Sequence, residues 1–327
     1  MNYFLTLAAA VALATSLTAC SKSKEEAVIP PCDCPELPTP PIGIGPRLTG
    51  PSLGYALPCF NPRNPREIVY YKADANFLTE HGLYVANLDT KQQRRIHAGS
   101  DYVLDVAWGP TGWLALSKGD QVWKLKANGD SLTQLTFGRP HYLPQWSPDG
   151  QRLVCREPDS PGAPLIIIDK NGRKLATLTG FPTQQCHGWS PDGTKLVVEY
   201  GPYGQGYGVG VYEIASNRVD LVQVTDTNPN NSFGMLNGAA WLADSRNVIW
   251  SNGTGIYATD TRTHQTKKLH TGCTTRVYLN PDVSADGRTI LVRRVDNRDV
   301  DNGQGIYTES NLWLMDINGS NERKLVF

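Results

Sequence analysis

Two histidines, His141 and His187, lie shortly before two copies of the same five-residue sequence, Trp-Ser-Pro-Asp-Gly. Neutral imidazole is the commonest protein ligand of transition-metal ions, so histidines at related positions could converge on one metal. Two ligands are fewer than such a site needs, and the other four histidines share no spacing with them. The opposing interpretation is that both are loop histidines on a polar surface, and then no metal or other cofactor is expected.

An aromatic residue precedes each of six related segments of the chain: Tyr55, Tyr102, Tyr142, Phe181, Phe233 and Tyr278. A ring of such side chains around an opening would suit stacking on sugars or holding a peptide. The same rings could instead fill the space between neighbouring structural units, because large aromatics bury the most area. The sequence therefore gives a candidate ligand-binding face, formed by these aromatics with His141 and His187, and leaves packing as the alternative.

The repeated sequence occupies Trp146–Gly150 and Trp189–Gly193, and its chemistry is that of a tight turn. Proline fixes φ at the first central position, aspartate suits the second, and glycine tolerates the left-handed conformation that follows. Apolar segments lead in and out, which predicts a β-hairpin. The tryptophan before the turn is expected to pack between neighbouring sheets.

Weaker copies of this hairpin bring the total to six, and they begin at Phe60, Trp108, Trp146, Trp189, Trp241 and Val283. Successive copies start 48, 38, 43, 52 and 42 residues apart, and a second pair of strands follows each one. Four strands, A to D, repeated at this period are typical of a β-propeller. The predicted fold is all-β, a six-bladed β-propeller of four-stranded antiparallel blades. Seven blades with one unrecognised copy, or an open array, are the alternatives.

These repeats resemble the TolB-type propeller repeat over Pro51 to Phe327. The resemblance implies a binding role, because propellers of this type typically use one face for protein partners, often a short peptide inserted toward the central channel. Only a proline-rich segment precedes the first repeat here, so the resemblance covers the propeller and a general interaction role. At the level of repeats the chain also resembles the propeller-type oligogalacturonate lyases, which hold manganese with a histidine cluster. That second resemblance implies the alternative function, a polysaccharide lyase or hydrolase using the channel mouth.

The first 19 residues are predicted to be a signal peptide, with an apolar run from Tyr3 to Ala14 that is too short to span a bilayer. The run leads to Leu17-Thr18-Ala19-Cys20, which resembles a bacterial lipobox and implies lipid attachment at Cys20. Residues 20–54 are rich in proline and glycine and are predicted to be an extended tether. The expected location is the cell envelope, anchored in the outer membrane and either periplasmic or surface-exposed.

Within this tether, Arg47-Leu48-Thr49-Gly50 is similar to the end of a D strand, Leu135-Thr136, and both lead into similar segments. The N-terminal stretch could therefore add to the last blade beside the C-terminal Lys324–Phe327 and close the ring by strand pairing. The alternative is that it is only part of the tether.

Charge and cysteine content narrow the functional classes. Lys plus Arg and Asp plus Glu are equal at 31 each, so the chain has no electrostatic footprint for nucleic acid. Without Cys20 six cysteines remain, an even number that is consistent with an oxidising compartment. A Cys155–Cys186 disulfide is one hypothesis and buried free thiols are the alternative. Cys59 and Cys273 are the candidate partners for Cys32 or Cys34.

These observations favour a monomeric, lipid-anchored propeller that acts as a binding module. Its expected partner is an envelope or surface protein or peptide, or a glycan, and its only contact with the membrane is through the lipid. Enzymatic action on a polysaccharide is the alternative.

Overall fold

The computed structural model describes residues 47–49, 53–74, 80–98, 103–158, 165–178, 183–201, 207–226, 236–299 and 305–327. All 25 regular elements in these ranges are strands, and they form six sheets of four or five strands. No helix in the same ranges is long and apolar enough to cross a membrane. The predicted six-bladed, all-β propeller is confirmed.

The strands of each blade follow one another in the sequence. Blade 1 contains β2 (Leu53–Asn61), β3 (Asn64–Asp74), β4 (Gly82–Asn87) and β5 (Gln93–Ala98). Blade 2 contains β6 (Val103–Trp108), β7 (Trp113–Lys118), β8 (Gln121–Lys126) and β9 (Thr133–Gln134). Blade 3 contains β10 (Tyr142–Trp146), β11 (Arg152–Arg156), β12 (Leu165–Asp169) and β13 (Lys174–Leu178).

The other three blades have the same order. Blade 4 contains β14 (Thr183–Trp189), β15 (Lys195–Tyr200), β16 (Tyr207–Glu213) and β17 (Arg218–Asp226). Blade 5 contains β18 (Ala239–Trp241), β19 (Asn247–Ser251), β20 (Gly255–Asp260) and β21 (Thr266–Thr271). Blade 6 contains β22 (Arg276–Val283), β23 (Thr289–Asp299), β24 (Gly305–Asp316) and β25 (Arg323–Lys324), and it is joined by β1 (Arg47–Thr49).

The first strand of each blade, the A strand, contacts the A strands of its neighbours, so the A strands surround the central channel. Because the strands are antiparallel, the A–B and C–D turns lie on one face of the ring, which we call the hairpin face. The B–C and D–A connections lie on the opposite face, which we call the D–A face.

The Trp-Ser-Pro-Asp-Gly copies form the A–B turns, and their hydrogen bonds explain the recurrence. In blade 3 the Ser147 N–H donates to the Arg152 carbonyl (2.9 Å) and the Gly150 N–H donates to the Ser147 carbonyl (2.8 Å). The Ser147 hydroxyl donates to Asp149 and accepts the Arg152 N–H, which ties both sides of the turn together. Gly150 has φ of 66°, a conformation that glycine adopts without steric cost. The motif therefore fixes the register of strands A and B.

Six hydrophobic clusters lie between neighbouring blades, and the residue that opens each hairpin packs into one of them. Trp108, Trp146, Trp189, Trp241 and Phe60 are at most 8% exposed, and Val283 packs at the edge of the sixth cluster. The indole N–H of Trp189 donates to the Gln145 carbonyl of blade 3 (3.1 Å), which adds a polar link across the blade interface. The prediction that these aromatics pack between sheets is confirmed.

The ring is closed by both ends of the propeller. Strand β24 pairs with β25 at Trp313 and Leu314, and with β1 at Gly305–Tyr307. The predicted pairing of Arg47–Thr49 with the last blade is confirmed, with one correction: β1 runs parallel to β24 and pairs with its first three residues instead of lying beside the C-terminal residues. The long β24 provides a free edge for both segments, because the two-residue β25 occupies only its end.

Candidate functional site

The aromatic residues predicted to form a ligand-binding ring do not share one environment. Tyr102, Phe181 and Phe233 lie outside the described residues. Tyr278 is fully buried between blades 5 and 6, where its hydroxyl donates to Glu322 (2.9 Å) and lies 3.0 Å from His270 Nε2. No part of its ring reaches solvent, so Tyr278 fills the space between two blades, the alternative that the sequence left open.

Tyr55 and Tyr142 are half-buried, and both are engaged with the neighbouring blade. The Tyr55 ring contacts Tyr70 of its own blade at a centroid distance of 5.7 Å and packs against the cluster between blades 6 and 1, and its carbonyl accepts a hydrogen bond from the Ser310 hydroxyl of blade 6 (2.7 Å). The Tyr142 hydroxyl donates to Asp120 of blade 2 (2.7 Å). In both cases the structure shows contacts between blades, the alternative that the sequence left open.

The two candidate metal ligands lie in different surroundings. His141 is buried, its Nδ1 lies 2.7 Å from the Arg139 carbonyl, and its Nε2 lies 3.5 Å from Glu157. His187 lies at a bulge of the channel-lining strand β14, where burial lowers its pKa to about 4 and keeps the ring neutral. No group of three or more histidine, cysteine or acidic side chains suited to a metal occurs in the part of the chain that the structure describes.

Cys155 and Cys186 are both free thiols, so the hypothesis of a bridge between them is wrong for this structure. Cys155 packs between blades 2 and 3, whereas Cys186 packs against Val154 in the cluster between blades 3 and 4. The two sulfurs therefore lie on opposite sides of the blade 3 sheet, because successive residues of a strand point to opposite faces. Burial raises the pKa of each thiol to about 12, which makes both poor nucleophiles.

Three prolines at matching positions, Pro58, Pro144 and Pro281, mark β-bulges in the A strands. The residue before each proline has a positive φ: 51° at Leu57, 56° at Leu143 and 50° at Asn280. The residue after each proline, Cys59, Gln145 or Asp282, is half-buried on an inner strand. A bulge re-aims the side chain that follows it, and here it presents polar groups to the centre of the ring.

These polar groups link consecutive blades around the channel. Gln145 Nε2 donates to Asp105 (3.2 Å), and the Phe60 N–H donates to Asp282 Oδ2 (2.6 Å). Burial raises the pKa of Asp105 to about 7, and it also raises the pKa of Asp282. Burial and the nearby Asp282 raise the pKa of the Cys59 thiol well above its usual range. The channel wall is therefore polar but holds no activated nucleophile among the residues named here.

On the hairpin face the channel opens into a cavity of about 360 Å³, which we call the hairpin-face mouth. Its lining comes from equivalent positions of all six A–B hairpins. The four tryptophans that open hairpins line it, together with one proline or alanine from each turn: Pro62, Pro110, Pro148, Pro191, Ala243 and Ala285. Five of these six small residues are exposed and Pro110 is half-buried, so the mouth has an apolar, solvent-facing rim.

The carboxylates next to this rim accept hydrogen bonds within their own turns. Asp149, Asp192 and Asp286 accept hydrogen bonds from the turn serines and backbone N–H groups, which lower the pKa of each against the opposing effect of burial. They therefore remain ionised and bound within the turn. The mouth is therefore an apolar pocket, and it can bury an apolar group of another molecule.

Sequence reasoning missed this mouth because it assigned the proline and alanine positions to turn formation alone. A usable signal was present: the second residue of every A–B turn is proline or alanine in all six copies, including the three weak ones. Turn formation alone does not explain this restriction, because most residue types are compatible with this position of a type I turn.

Comparison with known proteins gives similarity of fold. Neither a protein-family model nor a curated protein sequence matches the chain. A structure described as putative TolB from Agrobacterium tumefaciens superimposes with a TM-score of 0.60 and 18% identity, covering 84% of this chain and 90% of the other. TolB from Acinetobacter baumannii gives a TM-score of 0.58 and 16% identity, covering 83% of this chain and 63% of the other. The fold is that of a TolB-type propeller. At these identities the TolB-type likeness concerns the architecture alone, and this chain spans less than two thirds of the Acinetobacter protein.

Proposed function

We propose that this protein is a binding module of the cell envelope that receives an apolar side chain of a partner protein in its hairpin-face mouth. The observation that carries the proposal is the rim of six prolines and alanines above a lining of tryptophans. Burying apolar surface is the main favourable term in most protein association, and each square ångström contributes about 25 cal/mol. Interfaces concentrate binding energy where one large side chain fills a well-packed pocket, and the mouth offers such a pocket.

The partner class is supported by proteins of similar fold. This chain superimposes on a structure from a nidogen/laminin complex with a TM-score of 0.55 at 10% identity, covering 83% of this chain and 90% of the other. Those proteins were solved as an assembly of two proteins. A protein partner also suits the described lining of the mouth, which contains no lysine, arginine or carboxylate, because phosphate-rich or acidic ligands need charge-assisted hydrogen bonds.

The envelope location forms the second part of the proposal. A signal peptide over residues 1–19, lipid attachment at Cys20 and a proline-rich tether would hold the propeller near a membrane. These residues lie outside the described ranges, and the support for this part is the order of apolar run, lipobox-like sequence and tether. The polysaccharide lyase or hydrolase alternative draws no comparable support, since Tyr278 and His141 are buried and bonded within the fold.

Site-specific photo-crosslinking in intact cells tests the binding proposal. A benzophenone side chain is introduced at Pro148 or Ala285 on the mouth, and at Leu175 or Val224 as matched controls. The controls are apolar residues exposed by 45% and 46% on the outer strands of blades 3 and 4. We expect one adduct of the same mass from both mouth positions and none from the controls. Adducts from the outer strands alone would contradict the proposal.

A further inference from the structure

The disulfide of Cys273 points to a contact between the propeller and the segment that precedes it. Cys273 is disulfide-bonded, whereas Cys59, Cys155 and Cys186 are free. Of the seven cysteines of the chain, three precede the described residues: Cys20, Cys32 and Cys34. By elimination, the partner of Cys273 belongs to this N-terminal group.

Cys273 lies in a turn of the D–A face between blades 5 and 6. Its N–H donates to the Arg276 carbonyl (2.9 Å), and the Arg276 N–H donates to the Cys273 carbonyl (3.2 Å). The Asn297 N–H of β23 donates to the Thr275 carbonyl (2.8 Å), which fixes the turn against blade 6. Cys273 is half-buried, and its sulfur lies 3.2 Å from Thr275 Oγ1.

A charged cavity of about 300 Å³ adjoins this turn, and Thr275 is part of its wall. Four cationic side chains line it, Arg276, Arg294, Arg298 and Lys324, against two carboxylates, Asp296 and Glu309. A third carboxylate, Glu322, pairs with Arg294 from outside the lining (3.1 Å), so the cavity carries a surplus of one positive charge. Arg294 is only 8% exposed and is held by Asp296 and by Glu322, so the positive charge is built into the fold.

Two of the N-terminal cysteines, Cys32 and Cys34, are flanked by negative charge, opposite to that of the cavity. The segment Pro31-Cys32-Asp33-Cys34-Pro35-Glu36 contains two carboxylates and no cation. Ten residues separate Glu36 from β1, a distance that an extended chain covers up to roughly 35 Å. Strand β1 pairs with Gly305–Tyr307, at the same end of blade 6 as the cavity residues Arg298 and Glu309. The segment can therefore reach the cavity and complement its charge.

We propose that Pro31–Glu36 docks in the charged cavity between blades 5 and 6, where Cys32 or Cys34 forms the disulfide with Cys273. The carboxylates of Asp33 and Glu36 face the arginines, and the disulfide makes the contact permanent in an oxidising compartment. Residues 32–52, up to the start of β2, are then a clamp on the D–A face, and only the residues before Cys32 act as a tether. Together with the lipid attachment proposed above, on which this consequence rests, the clamp turns the hairpin-face mouth away from the membrane.

Peptide mapping without reduction tests the disulfide. Trypsin cleaves the purified, alkylated protein after Lys22, Lys24, Arg47, Lys268 and Arg276, so that Cys20 is separated from the pair Cys32 and Cys34. We expect peptide 25–47 linked to peptide 269–276, and fragmentation then identifies the cysteine. A link from Cys273 to the peptide that contains Cys20, or an unlinked Cys273, would overturn the proposal.

The charge complementarity is tested separately by redox equilibration with glutathione. The double variant Asp33→Asn/Glu36→Gln is expected to shift the thiol–disulfide equilibrium toward the reduced form by roughly three- to tenfold, the effect of losing two surface ion pairs. Glu25→Gln/Glu26→Gln is the matched control, because it removes two carboxylates of the same segment away from the cysteines. Equal shifts in the two variants would show that Asp33 and Glu36 do not dock in the cavity.

Discussion

Replacement of Tyr278 by alanine is expected to lower the free energy of unfolding by about 3 to 5 kcal/mol, the usual cost of removing a buried aromatic side chain. The ring is fully buried between blades 5 and 6 and makes an edge contact with His270 at a centroid distance of 5.0 Å. The alanine variant would leave a cavity and remove the hydroxyl that donates to Glu322. Urea unfolding monitored by tryptophan fluorescence measures the difference.

Two further variants separate packing from hydrogen bonding. Tyr278→Phe keeps the ring and is expected to cost about 1 kcal/mol, because Glu322 still accepts from Arg294. Tyr142→Ala, at the start of the A strand of blade 3, removes a half-buried ring and should cost about 1 kcal/mol. If Tyr278→Ala were as stable as Tyr142→Ala, the ring would not be a blade contact, and a role at a ligand-binding surface would return.

Asp105→Asn is expected to become increasingly stabilising, relative to the wild type, as the pH rises from 4 to 7. Burial at the channel wall raises the pKa of Asp105 to about 7 from an ordinary value of 3.8. The folded state therefore favours the protonated acid. The contribution of protonated Asp105 to stability is complete below the pKa of the unfolded state, and it is lost as the pH rises through the pKa of the folded state.

Asparagine cannot ionise, so the variant avoids the cost of holding a carboxylate beside the channel. We expect the variant to gain about 2 kcal/mol over the wild type between pH 4 and pH 8, a part of the full shift because Asp105 is only half-buried and keeps some contact with solvent. The measured quantity is the difference between the two proteins at each pH. Other shifted groups, such as His187 and Glu199, contribute to both proteins and cancel in that difference.

Asp149→Asn provides a control of opposite sign. The turn lowers the pKa of Asp149, so its stabilising effect is present above the unfolded pKa and is lost as the pH falls. The Asp149→Asn variant should therefore be less stable than the wild type at neutral pH and should approach it at pH 3. A pH-independent difference for Asp105→Asn would mean that Asp105 ionises normally in the folded protein.

The ring could be predicted from the sequence because the residues within each repeat determine its local structure. The turn residues of Ser147–Gly150 determine a hairpin whatever surrounds it, and the tryptophan before the turn needs a neighbouring sheet to cover it. Six such units at a period near 45 residues leave few arrangements other than a propeller. Even the closing strand at Arg47–Thr49 was recognisable, because it is similar to a D strand.

The functional surface was less predictable because its residues meet only across blades. Tyr55 and Tyr278 both lie five residues before the residue that opens their hairpin, yet only Tyr278 is fully buried, since His270 and Glu322 come from neighbouring segments that the repeat does not specify. The separation of Cys155 from Cys186 follows from strand parity, which a comparison of loop positions cannot reveal. In the same way, the rim of the mouth becomes continuous only when the ring is closed.

The measurement that tests the central claim most directly is the affinity of the cross-linked partner, once purified, for proteins altered at one face or the other. Pro148→Lys places a charge on the rim of the hairpin-face mouth, at an exposed site where it should leave the melting temperature within about 2 °C of the wild type. We predict that this variant binds at least roughly tenfold more weakly in calorimetric titration, whereas Val224→Lys on the outer strand and Tyr142→Ala near the D–A face bind as the wild type does. Unchanged affinity for Pro148→Lys together with a loss for Tyr142→Ala would contradict the account and place the binding surface on the D–A face.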